Sequence, residues 1–390
     1  MDADPAHDPP ATAPDAPRRA CVRAHVASES DPGAAALFRG AVAAPASPDV
    51  LILPASVPLP EGVDANASEF DPARYFAELR ASALGRVLLT ARVLPSTQTL
   101  VSDNTAAAPG EVIPRGALVV ADSQTGGRGR GGNAWTSPPG CLTFSLLARH
   151  AEGRTLPFLQ YVATMAAVEA TQDAARVSFP APRRSGKASA SADASVLDVR
   201  VKWPNDLYSG GQKIGGVLCA STYADGAFDV VVGVGINLDN PAPTTCVNHI
   251  IEAARRDRGV DADAVPFAPV TREALAARFA TRFEALARVV AETRGFDAIE
   301  AAYLNMWMHT GQEVTLIEEG EEGGEGREVR LRIEGLTRDG YLLAKDGGGG
   351  GSSSTRTGTA STFSRGSSGK NSRAGRRRRV FIEHDCMTIT

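Results

Sequence analysis

An α+β fold built on a mixed sheet, with a small β-barrel after it, is the class this sequence predicts. Three observations carry it. Six strand-like apolar runs lie between residues 86 and 234, and they do not alternate strictly with helical segments as a purely parallel α/β chain would require. Helical periodicity is confined to a few longer stretches. Beyond residue 311 the pattern changes to short alternating strands between turn-rich linkers, the signature of a small barrel.

Taken in order, residues 1–20 are rich in Ala, Pro and Asp and bury too little apolar surface to order themselves. Residues 21–82 carry scattered apolar stretches and read as a weakly packed accessory segment with no helix-turn-helix pattern. Residues 83–310 form the principal domain. Its expected strands are 86–89, 117–121, 142–148, 197–202, 214–219 and 228–234. Leu159, Val162, Ala163, Ala166 and Ala170 recur at helical spacing, and further helices are expected over 271–292 and 296–308. The hydrophilic stretch 183–191 reads as a loop. Residues 311–390 form the C-terminal domain, with strands at 313–317, 329–333, 340–344 and 380–382. A Gly/Ser/Thr tract at 347–375 interrupts it as flexible coil.

Composition narrows the function. A net charge of −4 argues against a protein whose main partner is nucleic acid. The five cysteines, Cys21, Cys141, Cys219, Cys246 and Cys386, are far apart and form no CxxC, so neither a disulfide framework nor structural zinc is signalled. A reducing compartment follows. No apolar run approaches the ~18 residues of a membrane span. The opening residues resemble neither a secretory signal nor an Arg-rich transit peptide. A cytoplasmic protein is expected, with a chloroplast or mitochondrial form left open. No paired acids, Ser/His/Asp order or metal cage stands out, and His150, His249 and His309 are isolated.

Four motifs carry chemistry. Gln124-Thr125-Gly126-Gly127-Arg128-Gly129-Arg130-Gly131-Gly132-Asn133-Ala134-Trp135 follows a strand. Its glycines allow close approach of an anion to main-chain N–H groups, and its arginines add planar, permanently charged donors. A GxGxxG match inside it needs a helix opening at the third glycine. Pro138-Pro139-Gly140 forbids one, so the dinucleotide reading fails. In Val201-Lys202-Trp203-Pro204-Asn205-Asp206-Leu207 a strand delivers a lysine and stops at a proline. Lys213-Ile214-Gly215-Gly216 and Gly233-Val234-Gly235-Ile236-Asn237 place glycines in strands, where close approach of another group is the usual reason. In series the four outline one ligand groove.

Together with Ser96-Thr97-Gln98, these segments resemble biotin–protein ligases over about residues 83–345, and Pro243-Thr244-Thr245-Cys246-Val247-Asn248 resembles the plant-type holocarboxylase synthetases. The resemblance implies a catalytic domain like that of class II aminoacyl-tRNA synthetases, followed by an SH3-like barrel. It implies biotin and ATP as substrates, Mg²⁺ accompanying ATP with no assignable ligand, and biotinyl-5′-adenylate as intermediate. The acceptor would be a lysine on the carrier domain of acetyl-CoA carboxylase or a related enzyme. A monomer or weak dimer is expected, bound to neither nucleic acid nor membrane. By resemblance, Lys202 and Arg130 are catalytic. Biotin would meet Ser96, Thr97, Gln98, Gln124, Arg128, Gly129, Arg130, Lys202 and Gly216. The nucleotide would meet Arg128, Arg130, Trp135, Asn205 and Asn237. Two other readings stand beside it: a lipoate–protein ligase-like enzyme, and a non-catalytic biotin-binding module of the same fold.

Overall fold

The computed structural model describes residues 20–27, 50–58, 68–107, 113–180, 195–240, 242–318, 327–346, 354–357, 378–382 and 385–389. The N-terminus expected to be disordered, apart from Ala20, and the loop expected at 183–191 lie outside these residues, as does most of the Gly/Ser tract. Among the described residues no helix is long and apolar enough to cross a membrane.

The main sheet comprises β1 (Ala20–Val26), β2 (Val50–Pro54), β3 (Val87–Leu94), β4 (Leu118–Gln124), β5 (Cys141–His150), β6 (Arg200–Lys202), β7 (Asp206–Ser209), β8 (Gln212–Ala224) and β9 (Ala227–Asn237). Their order is β2-β1-β3-β4-β5-β9-β8-β7-β6. The sheet is mixed, as expected: β1–β2 and β3–β4 run parallel and the other pairs antiparallel. Both faces are buried at its centre. Leu88, Leu118 and Val120 point into one apolar cluster, while Val87, Leu89, Val119 and Ala121 point into another. That two-sided burial is why these strands read as unbroken apolar runs.

The helices are α1 (Pro72–Glu78), α2 (Thr97–Ala107), α3 (Leu159–Ala175), α4 (Val247–Asp257), α5 (Arg272–Thr293) and α6 (Asp297–Met306). The larger cluster packs α3 and α5 on one face of the sheet through Val162, Ala166, Phe279 and Phe283. The smaller uses Leu100 and Val101 of α2 on the other. Sequence periodicity missed α2 because its buried face is partly polar. Asn104 Nδ2 donates to the Leu100 carbonyl at 2.7 Å and Thr105 Oγ1 to that of Val101 at 2.8 Å, so these side chains bury without orphaned donors.

The described residues of 21–82 do not sit apart as a weakly packed accessory. Strands β1 and β2 extend the main sheet beyond β3, and Val22, Ile52 and Tyr75 are buried. The stretch after Phe70 is pinned along α5. Asp71 N donates to Glu273 and Arg80 N to Thr281 Oγ1, while the backbone N–H groups of Ser82, Ala83 and Leu84 all converge on Glu284. Burial pushes the Glu284 carboxyl up, but these hydrogen bonds outweigh it and hold the group below its ordinary range. No boundary at 83 therefore divides the packing.

A second sheet holds β10 (Glu313–Glu318), β11 (Arg327–Leu336), β12 (Leu342–Asp346), β13 (Ser354–Thr357), β14 (Arg378–Ile382) and β15 (Asp385–Ile389), all paired antiparallel. Its order is β13-β12-β11-β10-β14-β15. Strand β13 corrects the expectation of uninterrupted coil over 347–375: Ser354–Thr357 pair with Leu342–Lys345. Val314, Leu331, Ile333, Leu336, Leu342 and Ala344 belong to the same apolar cluster as α3 and α5, so this sheet docks through a continuous core. At the β11–β12 turn Gly340 has φ +82°, and a Cβ there would lie 3.1 Å from both Phe158 and Tyr161. Only glycine fits both the backbone and the contact.

Candidate active site

A cavity of about 640 Å³ opens on the main sheet where β5, β8 and β9 run side by side. Its volume is that of an ordinary small-molecule site. The motifs that lie far apart in the chain meet here. Of the expected site residues, Ser96, Thr97, Gln98, Gln124, Arg128, Gly129, Arg130, Trp135, Lys202, Asn205 and Gly216 all line it.

Ser96 to Gln98 form the start of α2. Ser96 Oγ accepts from Thr99 N at 3.3 Å, the bond of an N-capping serine. Thr97 N and Thr97 Oγ1 both donate to Gln124 Oε1, at 2.8 and 3.2 Å, and Gln124 Nε2 donates to Ser137 Oγ at 3.0 Å. Gln124 thus ties the helix start to Ser137, just beyond the glycine loop. Gln98 lies against Gly233, where a Cβ would approach Gln98 Oε1 to 2.1 Å. Buried Ser145 links the set: its Oγ lies 2.9 Å from Thr97 Oγ1 and 3.3 Å from Gln98 Oε1, within hydrogen-bond reach of both. Nothing in the sequence singled out Ser145, since a serine within a strand carries no local signal.

The Gly/Arg loop folds back on itself. Gly129 N donates to the Asn133 carbonyl at 2.7 Å, and Trp135 N to that of Gly127 at 2.9 Å. A Cβ on Gly127 would meet the Trp135 carbonyl at 2.3 Å, so closure of this loop requires a glycine. Arg128 is exposed and Arg130 half-buried. Burial lowers the Arg130 pKa from its ordinary value, while Tyr161 and Asp206 work the other way. The guanidinium stays charged at any ordinary pH.

The Trp135 indole lies over Gly235, whose Cβ would come within 2.4 Å of Trp135 Cε2. Gly235→Ala should therefore overpack this contact, costing about 1–3 kcal/mol. A lower Tm and a shifted tryptophan emission spectrum are expected. An unchanged protein would show that the indole does not rest there.

Lys202 ends β6, and its Nζ lies 5.1 Å from the centroid of the Tyr208 ring. Lys213 Nζ pairs with Asp206 at 2.7 Å and sits 5.9 Å from the centroid of the Trp135 ring. Asn205 borders the cavity, but its Nδ2 donates to the Val217 carbonyl at 3.0 Å and so braces the turn. Asn237, expected on the nucleotide side, is placed apart from the other expected residues. It lies outside the cavity lining, and its Nδ2 donates to Thr244 Oγ1 at 3.1 Å. Thr244 in turn donates to the Lys213 carbonyl at 2.6 Å, so Asn237 secures the end of β9.

Charge is one-sided. Arg128, Arg130, Lys202 and Lys213 line the cavity against one carboxylate, Asp206. Such a wall favours an anionic ligand and stabilises charge that grows during a reaction. Among the described residues no three His, Cys, Asp or Glu side chains gather to hold a metal ion.

Residues 90–237 match the model of the Biotin/lipoate A/B protein ligase family. The chain is 37% identical to Biotin--protein ligase 2 of Arabidopsis thaliana over 279 residues, covering 71% of this chain and 75% of that one. The chain belongs to the biotin–protein ligase family. It is also 33% identical to the Biotin--protein ligase of Homo sapiens, over 77% of this chain and 38% of the human protein. Among solved structures, the biotin protein ligase R40G mutant from Aquifex aeolicus in complex with biotin aligns over 69% of this chain and 94% of that one. Its sequence identity is 22% and its TM-score 0.48. The matched family segment runs from within β3 to the end of β9 and so contains every motif that converges on the cavity.

Proposed function

We propose that this protein is an ATP-dependent biotin–protein ligase, acting at the cavity on the main sheet. Biotin's carboxylate attacks the α-phosphorus of ATP, pyrophosphate leaves, and biotinyl-5′-adenylate remains. The amine of an acceptor lysine then attacks the acyl carbon, forming an amide and releasing AMP. The observation that carries this reading is the convergence of four cations and one carboxylate with the Ser96–Gln98 and Gln124 hydrogen-bonding cluster. Joining a carboxylate to a triphosphate crowds like charges, and fixed cations are what lowers that barrier. A bicyclic urea needs paired donors and acceptors, and Ser96, Thr97 and Gln98 supply them beside a narrow glycine-lined floor.

In this reading Lys202 and Arg130 neutralise charge at the reacting carboxylate and phosphate. Arg128 and Gly129 close over the adenylate, and Trp135 shapes the nucleotide side. Mg²⁺ accompanying ATP would be held chiefly by the phosphates and would offset their charge, which suits a cavity with a single carboxylate already paired to Lys213. The acceptor is a biotin carboxyl-carrier domain of acetyl-CoA carboxylase or a related enzyme. Biotin--[acetyl-CoA-carboxylase] ligase of Paracoccus denitrificans, 33% identical over 133 residues, supports that choice. The six-stranded C-terminal sheet is read as an SH3-like barrel, supported by its antiparallel order and short strands.

The test is transfer of labelled biotin to a purified carrier domain in the presence of ATP. Incorporation at one lysine, with AMP and pyrophosphate released, is expected. Incorporation of lipoate instead, or biotin binding without transfer, would overturn the reading.

A further inference from the structure

Lys202 stands at the end of a strand only three residues long. On one side that strand pairs with β7, and on the other it is held by the chain leading to the C-terminal sheet. Trp307 bridges Val201 in parallel register, Met308 N donates to the Val201 carbonyl at 3.1 Å, and Arg200 Nη1 donates to the Asn305 carbonyl at 3.0 Å. At Trp203 a side chain replaces the main-chain partner: Trp203 N donates to His309 Nε2 at 2.8 Å. An imidazole nitrogen that accepts carries no proton, so the proton is on Nδ1, which donates to Gln312 Oε1 at 2.8 Å. Gln312 is itself fixed by the second sheet, since its carbonyl accepts from Ile333 N at 2.9 Å. A parallel link runs through Tyr161: Trp203 Nε1 donates to its hydroxyl at 3.0 Å, and that hydroxyl donates to the Gly340 carbonyl.

We propose that His309 is a positioning residue that sets the register of the Lys202–Asn205 turn against the C-terminal sheet, so that the placing of Lys202 in the cavity depends on that sheet being docked. The imidazole is 2% exposed. Burial, and after it the charge of Lys202, pushes its pKa below the ordinary value against the opposing bond to Gln312, which keeps the ring neutral and Nε2 free to accept. The inference rests on the reading of the cavity as the place where the acyl-adenylate forms.

The test compares the full-length protein with His309→Leu, which keeps bulk but removes the acceptor, and with His309→Gln, which restores a carbonyl acceptor. Two quantities are read: biotin-dependent pyrophosphate exchange, and amide hydrogen exchange of the peptide spanning 200–207. In His309→Leu the kcat should fall about tenfold or more with the biotin KM moving less than about threefold. Hydrogen exchange should quicken at 200–207 while the α3 and α5 peptides keep their protection. His309→Gln should recover most of both. Unchanged kcat in the leucine variant, equally faster exchange throughout the core helices, or no rescue by glutamine would each overturn the proposal. Should the leucine variant not fold, Gln312→Ala takes its place, and must show the same localised loss of protection. Absence of exchange activity in the wild type would sink the enzymatic reading instead, and the hydrogen-exchange comparison would still decide whether His309 holds the turn.

Discussion

Lys202→Ala is expected to slow biotin-dependent pyrophosphate exchange roughly 30- to 1000-fold while the protein stays folded. Removing one charged donor from a closed site costs about 2–4 kcal/mol of transition-state stabilisation, which sets that range. The fold should survive because the side chain is only half-buried and stands over the Tyr208 ring and not within the apolar core. Arg128, Arg130 and Lys213 remain in place, so a residual rate above background is expected. Exchange near the wild-type rate would reduce Lys202 to an ordinary lysine lying along the wall. A loss confined to the KM for biotin, with kcat intact, would show that it binds substrate without favouring the transition state.

Ending the chain at Gly311 should abolish transfer to the carrier lysine and lower the Tm markedly. Phe158, Tyr161, Phe296 and Tyr303 form one aromatic cluster beneath the second sheet. Leu331, Leu336 and Leu342 pack into the same core. Exposing several side chains of this size forfeits about 1.5–3 kcal/mol each, a large share of a domain's stability. Such a truncation would also remove Gln312 and the Gly340 carbonyl, the two groups that brace the Trp203 turn. Replacing residues 347–375 by a short Gly/Ser turn should behave differently. It removes β13, which among the described residues is an edge strand paired with β12 alone, and shortening a loop of that length changes closure entropy by about 0.6 kcal/mol per halving. Biotin transfer by the shortened protein should stay near normal. If that deletion alone abolished transfer, the tract would have to be part of the working machinery.

The different outcomes expected for these two deletions follow from packing, and packing is where the sequence was least informative. Residues 21–82 looked like an appendage because β1 and β2 are short and lie more than twenty positions apart in the chain. The strand that joins them to the main sheet, β3, pairs with β1 and lies more than thirty positions beyond β2 in the chain. Edge strands that complete a distant sheet have no local mark of it. Helix α2 was hidden for another reason: its buried face uses Asn104 and Thr105, which satisfy themselves on carbonyls one turn back. The site was more legible. Glycines where strands should be apolar, a lysine delivered to a proline, and arginines between glycines are each locally odd, and Gly216, Gly233, Gly235, Lys202, Arg128 and Arg130 all line the cavity. Asn237 was the exception. Its position after Gly233 and Gly235 suggested the groove, whereas its amide turns to Thr244.

By itself the sequence determined the mixed α+β class, the motifs that supply the cations, and the glycines that leave room over the sheet. Backbone chemistry dictates these locally: a Cβ at Gly127 or Gly235 would overlap the atoms that must lie there. Only the tertiary structure decided what holds those groups in place. A histidine isolated in the sequence accepts the Trp203 amide, and a glycine turn in the second sheet accepts from Tyr161. The reason is physical. A buried N–H must find an acceptor somewhere, and which of many distant acceptors it finds is settled by how the sheets dock.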